Sequence, residues 1–186
     1  MSNLYKRVEE FVIDSFNKAG RKNDVKHLER TVFWIKKLKP DADEALLVAG
    51  ISHDIERAFR EVDYSLIKDK GFNSKEHLIN HQNKGSKIIA DFLNSQKFDK
   101  NIIEKIKALV SNHEVGGDFD QNILKDADSI SFFENNIDHF INKIAPKIGR
   151  EKVKIKFDWM FNRIINKEAK EIALPWYKDA LQKLGY

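Results

Sequence analysis

The chain has 186 residues and no cysteine, which excludes a disulfide framework, cysteine-bound zinc or iron–sulfur sites and thiol catalysis, so any metal must be held by His, Asp and Glu. The net charge of +4 excludes a uniformly basic surface, because six basic residues and one acid between Lys143 and Lys156 carry +5, leaving about −1 for the rest. No run of about 18 apolar residues occurs, and charges interrupt the N-terminal stretch where a signal peptide would be apolar, so we expect one soluble cytoplasmic domain.

Apolar residues recur at spacings of three and four along almost the whole chain, and strand-like alternation is nearly absent. This periodicity is typical of amphipathic helices and predicts an all-α, single-domain helical bundle over residues 1–186. The first helix is predicted over about Leu4–Lys18, and Asp24 is predicted to cap a second helix that ends near Leu38. Asp41 or Asp43 opens a third helix, whose small apolar residues predict burial on several sides.

The remaining elements follow a polar connector at about Arg60–Asn73, which contains Gly71. Three further helices are predicted over about Ser74–Asn94, Asn101–His113 and Leu124–Asn135. Helical segments then continue to Pro146, over about Lys152–Asn166 and over about Tyr177–Leu184. We find no internal repeat and no domain boundary.

Several side chains that could bind a metal lie inside apolar stretches rather than in charge runs. His53-Asp54 ends the third helix, and His27, His81, His113 and Asp128 each lie on another predicted helix or at its end. Buried ionisable groups are costly unless they are paired or bound to a metal. Helical bundles build metal sites from imidazoles and carboxylates that point inward from different helices.

These residues resemble the HD-domain superfamily of metal-dependent phosphohydrolases, whose ordered pattern is a His, a His-Asp pair and a distant Asp. The matching stretches are VKHLER at 25–30, AGISHDI at 49–55 and LKDAD at 124–128. The resemblance covers about residues 20–140, which would form the metal-site core, with C-terminal helices over about 141–186. It implies the metal ligands His27, His53, Asp54 and Asp128. The family's last ligand is the Asp of an Ala-Asp pair, which selects Asp128, and Asp126 is the alternative as ligand or helix cap.

Some relatives carry two more histidines that hold a second metal, and the resemblance assigns this role to His81 and His113. The stretch HQNKGSKII at 81–89 is similar to the family's His-x-x-x-Gly-Ala helix. His77 competes with His81 because residues four apart share a helix face. His139 has no family counterpart and is predicted to be structural or exposed.

Arg57 stands where family members with His-Asp-Ile-Gly-Lys carry a phosphate-binding lysine, so it is predicted to contact substrate and take part in catalysis. Other members carry a catalytic Glu at that place. Here Glu56 lies one position early, which predicts a surface ion pair instead. Lys84, one turn past His81, is a candidate substrate-binding residue, and its alternative is a solvated lysine. The segment between Lys143 and Lys156 is a candidate lining of the substrate entrance.

The ligand set leaves open positions on an octahedral ion and suits one or two Mn, Fe, Co, Ni or Mg ions. The leading hypothesis is hydrolysis of a phosphomonoester, phosphodiester or nucleotide, with Asp54 beside the ion helping to position or deprotonate water. Two alternatives remain open: a di-iron oxygenase of the HD type, and a non-catalytic module that binds a nucleotide or nucleic acid. The charge distribution favours an anionic small-molecule substrate over nucleic acid, with no membrane partner and a homodimer as a further expectation.

Overall fold

The structure is a computed structural model that describes residues 3–61, 72 and 74–186. Within these ranges the chain is helical and contains no β-strand, so the predicted all-α class is confirmed. None of the helices in these ranges is long and apolar enough to cross a membrane. Most of the predicted polar connector, including Gly71 and Asn73, lies outside the described residues.

Eight helices of nine residues or more are found in the described part of the chain. They are α1 Asn3–Lys18, α2 Val25–Leu38, α3 Glu44–Ser52, α4 Lys75–Ser95, α5 Lys100–Val110, α6 Phe119–Asn135, α7 Arg150–Asn162 and α8 Lys167–Leu184. Shorter helical pieces are Lys22–Asp24, Ile55–Phe59, Ile137–His139, Phe140–Ile144 and Ala145–Ile148.

Capping side chains fix where several of these helices begin. Asp43, not Asp41, caps α3, because its carboxylate accepts the backbone N–H of Leu46 at 3.0 Å. Ser74 caps α4 as predicted. Asp24 forms no capping bond at the start of α2, since its carboxylate pairs with Arg21 at 2.7 Å instead.

Four predicted helix boundaries are wrong. α5 ends at Val110, so His113 lies in the turn after the helix rather than on it. α6 begins at Phe119, well before the predicted Leu124, because Asp118 and Gln121 form a reciprocal capping box. α7 ends at Asn162 rather than near Asn166, because Asn166 caps α8 instead. α8 begins at Lys167 and continues through Pro175, although a proline inside a helix removes a backbone donor.

The buried apolar residues form two clusters that α6 connects. The first lies among α1–α6 and includes Leu124 and Ala127, and the second lies among the end of α6, α7 and α8 and includes Ile130 and Phe133. α3 is buried nearly all round and packs closely on α2, because a Cβ on Gly50 would meet the Ile35 Cδ1 at 2.5 Å. Just beyond this contact, His53 after the end of α3 lies beside His27 near the start of α2.

Candidate metal centre

Four histidines from four different elements meet in the interior between the helices. His27 comes from α2, His53 follows α3, His81 lies on α4 and His113 lies in the turn after α5. Their rings form a chain of neighbours, with ring centroids 5.4 Å apart for His27 and His53, 5.1 Å for His53 and His113, and 5.2 Å for His113 and His81. All four are buried. The structure therefore brings together the histidines that the sequence pattern selects.

Asp54 lies among these rings, and each of its carboxylate oxygens faces two of them. Its Oδ1 is 2.9 Å from His81 Nε2 and 3.8 Å from His113 Nε2. Its Oδ2 is 3.6 Å from His53 Nε2 and 3.8 Å from His27 Nε2. Two triads result, His27–His53–Asp54 and Asp54–His81–His113, and the ligand atoms of each lie within 4.8 Å of one another. Asp54 belongs to both triads and could bridge two ions.

Asp128 supplies a second carboxylate to the first triad. Its Oδ1 is 3.1 Å from His27 Nε2 and 3.5 Å from His53 Nε2. Asp126, two residues earlier on α6, points to another side, because two helical steps turn a side chain by about 200°. Its carboxylate accepts the backbone N–H groups of Ile165 and Asn166 at the start of α8. The structure thus places Asp128 in the cluster and Asp126 outside it.

The hydrogen bonds of the imidazoles show which ring nitrogens carry lone pairs. His53 Nδ1 lies 2.9 Å from the Gly50 carbonyl oxygen, and His113 Nδ1 lies 2.7 Å from that of Val110. A carbonyl only accepts, so Nδ1 must donate in both rings, and the neutral form has its lone pair on Nε2. Both Nε2 atoms are buried without a hydrogen-bond partner in the described residues. Each Nε2 faces carboxylate oxygens without a hydrogen bond, and a bound cation would take the lone pair that each ring offers there when it is neutral.

A hydrogen bond to Ser131 gives neutral His27 the same tautomer, with the proton on Nδ1. Its Nδ1 lies 2.8 Å from Ser131 Oγ, and that hydroxyl donates its one proton to the His27 carbonyl oxygen at 2.7 Å. Ser131 Oγ therefore accepts from Nδ1–H, and the Nε2 lone pair of neutral His27 faces Asp128 Oδ1. Two acceptors at 3.1 Å repel each other unless a proton or a metal ion lies between them. A cation shared by these atoms would remove the repulsion.

Glu56 orients the fourth imidazole and is buried, contrary to the surface ion pair predicted for it. Its Oε2 lies 2.8 Å from His81 Nδ1 and 3.2 Å from Arg60 Nε. The carboxylate turns His81 Nε2 toward Asp54. Metal-ligating histidines commonly donate their other N–H to a carboxylate in this way, which fixes the ring and raises its basicity.

The charges of the cluster shift its protonation strongly. Burial disfavours the charged forms, but Arg57, His53 and His81 outweigh it and hold the pKa of Asp54 well below its usual range. Burial alone would lower the pKa of His53, but the carboxylates of Asp54 and Asp128 outweigh it and raise this pKa to about 9. For His113 burial dominates and lowers the pKa to about 4. The cluster therefore keeps anionic carboxylates next to at least one neutral imidazole at neutral pH.

Arg163, which the sequence pattern did not reveal, holds the free side of Asp128. The guanidinium at the end of α7 pairs with Asp128 Oδ2 and with the Glu114 carboxylate, and its Nε donates to Ser129 Oγ at 2.8 Å. Arg163 and Glu114 are almost fully buried side chains. Burial opposes the charge of Glu114, but Arg163 lowers its pKa to about 2. The sequence offers one signal for this ion pair, the Glu directly after His113. No local pattern indicates its distant partner, Arg163.

A cavity of about 600 Å³ opens beside the cluster. Its wall includes His27, Asp54, His81 and Arg57, and Arg57 Nε lies 3.0 Å from Asp54 Oδ2. Lys84 is exposed and is not among the described residues that line the cavity, because Gly85 rather than Lys84 faces inward on α4.

Other sequence candidates lie around this cavity at different depths. Half-buried His77 is on the wall but outside both triads, and His139 is an exposed residue on the same wall. Of the basic residues in the segment between Lys143 and Lys156, Lys156 alone lies on the cavity wall in the described part of the chain. The remaining basic residues of that segment are exposed or half-buried elsewhere on the surface.

Replacing Glu56 tests whether it orients a metal ligand. In Glu56→Gln, the amide can still contact His81 Nδ1 but carries no charge to raise the basicity of the ring. We expect Mn²⁺ to bind about 10–100-fold more weakly at the His81 side, as is usual when such a partner is lost. Titration calorimetry measures the change. Glu104→Gln, an exposed substitution on α5, is the control, and equal affinities for both variants would contradict the assignment.

Comparisons with known proteins agree with the fold. A family model described as "Domain of unknown function (DUF4202)" matches residues 12–177. No curated protein matches the chain. The crystal structure of a predicted HD superfamily hydrolase from an uncultured Thermotogales bacterium superposes with a TM-score of 0.56 at 16% identity, over 95% of this chain and 87% of that one. This likeness confirms an all-α fold of the HD-domain type.

Proposed function

The chain belongs to the DUF4202 family, and we propose that it is a metal-dependent hydrolase of phosphoric esters. One observation carries this proposal: four buried imidazoles and the Asp128 carboxylate converge around Asp54 at a cavity that also presents Arg57. His27, His53, Asp54 and Asp128 would hold one divalent ion, and Asp54, His81 and His113 a second. The likeness in fold to a predicted hydrolase supports this reading.

The nitrogen and oxygen donors suit Mn²⁺, Fe²⁺, Co²⁺, Ni²⁺ or Mg²⁺. When bound, such ions polarise a phosphoryl oxygen and lower the pKa of water. The protein's own part is to hold the phosphate and orient the water. Asp54 keeps its negative charge at neutral pH and lies on the cavity wall, so it accepts a hydrogen bond from the attacking water and fixes the direction of its lone pair.

Arg57 provides the positive charge that the phosphate meets in the cavity. Its guanidinium is anchored by Asp54 at one nitrogen, which leaves its other N–H groups for phosphoryl oxygens. Asp54 raises the pKa of Arg57 against the effect of burial, so the side chain stays charged. A guanidinium held in place beside the reacting phosphate stabilises the negative charge that develops on the phosphoryl oxygens in the transition state.

Arg57→Met tests this role. We expect kcat/KM for a phosphoester substrate to fall by about 10²–10³-fold, the usual loss when one preorganised donor is removed. The assay uses Mn²⁺-loaded protein and a panel of phosphomonoesters, phosphodiesters and nucleotides, with metal content measured for each variant. Arg150→Met, an exposed substitution at the start of α7, is the control and should retain full activity.

Removing the metal provides the complementary test. Dialysis against a chelator should abolish hydrolysis, and adding Mn²⁺ or Co²⁺ should restore it. A fully loaded protein that hydrolyses none of the panel would overturn the proposed function. Two irons per chain with consumption of O₂ would assign oxygenase chemistry instead.

A further inference from the structure

Lys156 is a buried cation on the cavity wall that lacks a carboxylate partner. The residue is 6% exposed and belongs to α7. Each arginine on the same wall lies within 3.2 Å of a carboxylate oxygen, Arg21 of Asp24 at 2.7 Å, Arg57 of Asp54 at 3.0 Å and Arg60 of Glu56 at 3.2 Å, although the Nε atoms of Arg57 and Arg60 form no hydrogen bond in the described residues. No hydrogen bond or ion pair of Lys156 is found in the parts of the chain that the structure describes.

The surroundings of the Lys156 ammonium group do not compensate for its burial. Its Nζ lies 4.4 Å from the centroid of Trp159 and 5.8 Å from that of Phe132. Attraction to ring faces offsets only part of the desolvation cost of an ammonium group. Burial lowers the pKa of Lys156 to about 8, because the attraction of Glu114 and Asp128 is countered by the charges of Arg163 and Arg57 and does not make up for the lost hydration. At neutral pH the protein therefore keeps a charge there at a cost in stability.

A destabilising charge that faces a cavity is typical of a ligand-binding position. We infer that Lys156 binds the phosphate group of the substrate and that this substrate is a phosphomonoester. The inference rests on the proposed hydrolase function and adds the substrate class. The cluster, Arg57 and Lys156 lie on the wall of one cavity, and a terminal phosphate has three free oxygens, one for each of them, whereas a diester has two.

The apolar part of the wall begins next to this position. Phe132, which lies below the Lys156 ammonium, packs against Phe140 at 5.1 Å between ring centroids, and Phe140 packs against Phe72 at 5.5 Å. Phe140 and Phe72 line the cavity. The phosphate would thus lie between the cluster and Lys156, and the organic part of the ester against these two rings.

Lys156→Met tests the inference with inorganic phosphate as the probe. Methionine keeps much of the apolar stem and removes the charge. We expect phosphate to bind the Mn²⁺-loaded variant at least about 10-fold more weakly, because a charge-assisted hydrogen bond is lost. Without phosphate, we expect the melting temperature to rise by about 2–4 °C, with or without Mn²⁺, because an uncompensated buried charge is gone. Titration calorimetry and calorimetric unfolding give the two values.

Lys154→Met is the matched control on the same helix, since Lys154 pairs with Asp158 at 2.7 Å and is not among the described cavity-lining residues. Lys154→Met should change neither the phosphate affinity nor the melting temperature. Unchanged phosphate affinity in Lys156→Met, a lower melting temperature or failure to fold would overturn the inference, and so would a wild-type protein that binds no phosphate. Loss of phosphate binding in the variant, with no hydrolysis by the wild type, would reject the proposed function and keep only phosphate binding by Lys156. Equal activity of both proteins on phosphomonoesters would keep the proposed function and reject the role of Lys156.

Discussion

Asp54→Asn should lower the affinity for both metal ions, whereas loss of a histidine should affect one ion. Each Asp54 oxygen faces a different pair of imidazoles, so the carboxylate is part of both triads. An amide keeps one oxygen but loses the charge and the second acceptor. We expect each affinity to fall by at least about 10²-fold, more than the loss of an outer partner causes. Metal content after gel filtration, measured by elemental analysis, checks this.

Two further variants make the result specific. His81→Ala should retain one ion per chain, because the triad of His27, His53 and Asp54 stays intact with Asp128. Asp126→Asn is the matched control on α6, since that carboxylate binds backbone N–H groups at Ile165 and Asn166 rather than the cluster. Asp126→Asn should retain two ions. Loss of metal in Asp126→Asn but not in Asp54→Asn would contradict the arrangement.

Arg163→Met should be the most destabilising single substitution near the site. The guanidinium pairs with both Glu114 and Asp128, and all three side chains are buried. Its removal leaves two carboxylates in the interior without their cation. Breaking a buried pair in this way typically costs about 3–5 kcal/mol of unfolding free energy. Urea unfolding of the metal-free protein measures the difference.

The double variant Arg163→Met/Glu114→Gln separates charge from packing. Because Glu114→Gln removes one of the uncompensated carboxylates, it should recover part of the lost stability in the Arg163→Met background. Arg150→Met on α7 should change the free energy by no more than about 0.5 kcal/mol, as is usual for surface positions. A small effect of Arg163→Met, or no recovery in the double variant, would show that the network contributes little.

The members of the cluster could be predicted from sequence, because they occur within apolar stretches in the order that the family resemblance implies. His27 and Asp128 lie in helices whose periodicity is clear, His53-Asp54 directly follows α3, and the structure brings them together. The choice of Asp128 over Asp126 comes from the Ala-Asp pair that the resemblance implies, and the period of α6 explains why only one of the two carboxylates can face the cluster. Ligand order and helical period therefore carry most of the information about the cluster.

The partners of the ligands could not be predicted, because they depend on tertiary contacts. Glu114 and Arg163 are 49 residues apart in sequence, and no local pattern links them. Glu56 was interpreted as a surface residue because it lies one position from the family's catalytic Glu, yet it supports His81 from the interior. Lys156 belongs to a run of basic residues that is typical of a solvated face, and packing of α7 alone turns it inward.

The helix ends show the same limit. The start of α6 depends on a capping box between Asp118 and Gln121, which extends the helix before its apolar pattern becomes clear. α8 runs through Pro175, where sequence rules favour a break, because Ala169, Ala173 and Ala180 bury its face against the second core cluster. Tertiary burial outweighs the local penalty of the proline.

Anomalous scattering from crystals grown with Mn²⁺, combined with elemental analysis of the same protein, tests the central claim most directly. We predict two manganese ions per chain on either side of Asp54. One would be bound by His27, His53 and Asp128, and the other by His81 and His113. No anomalous peak among these side chains at saturating Mn²⁺, or peaks only at other acidic groups, would contradict the account.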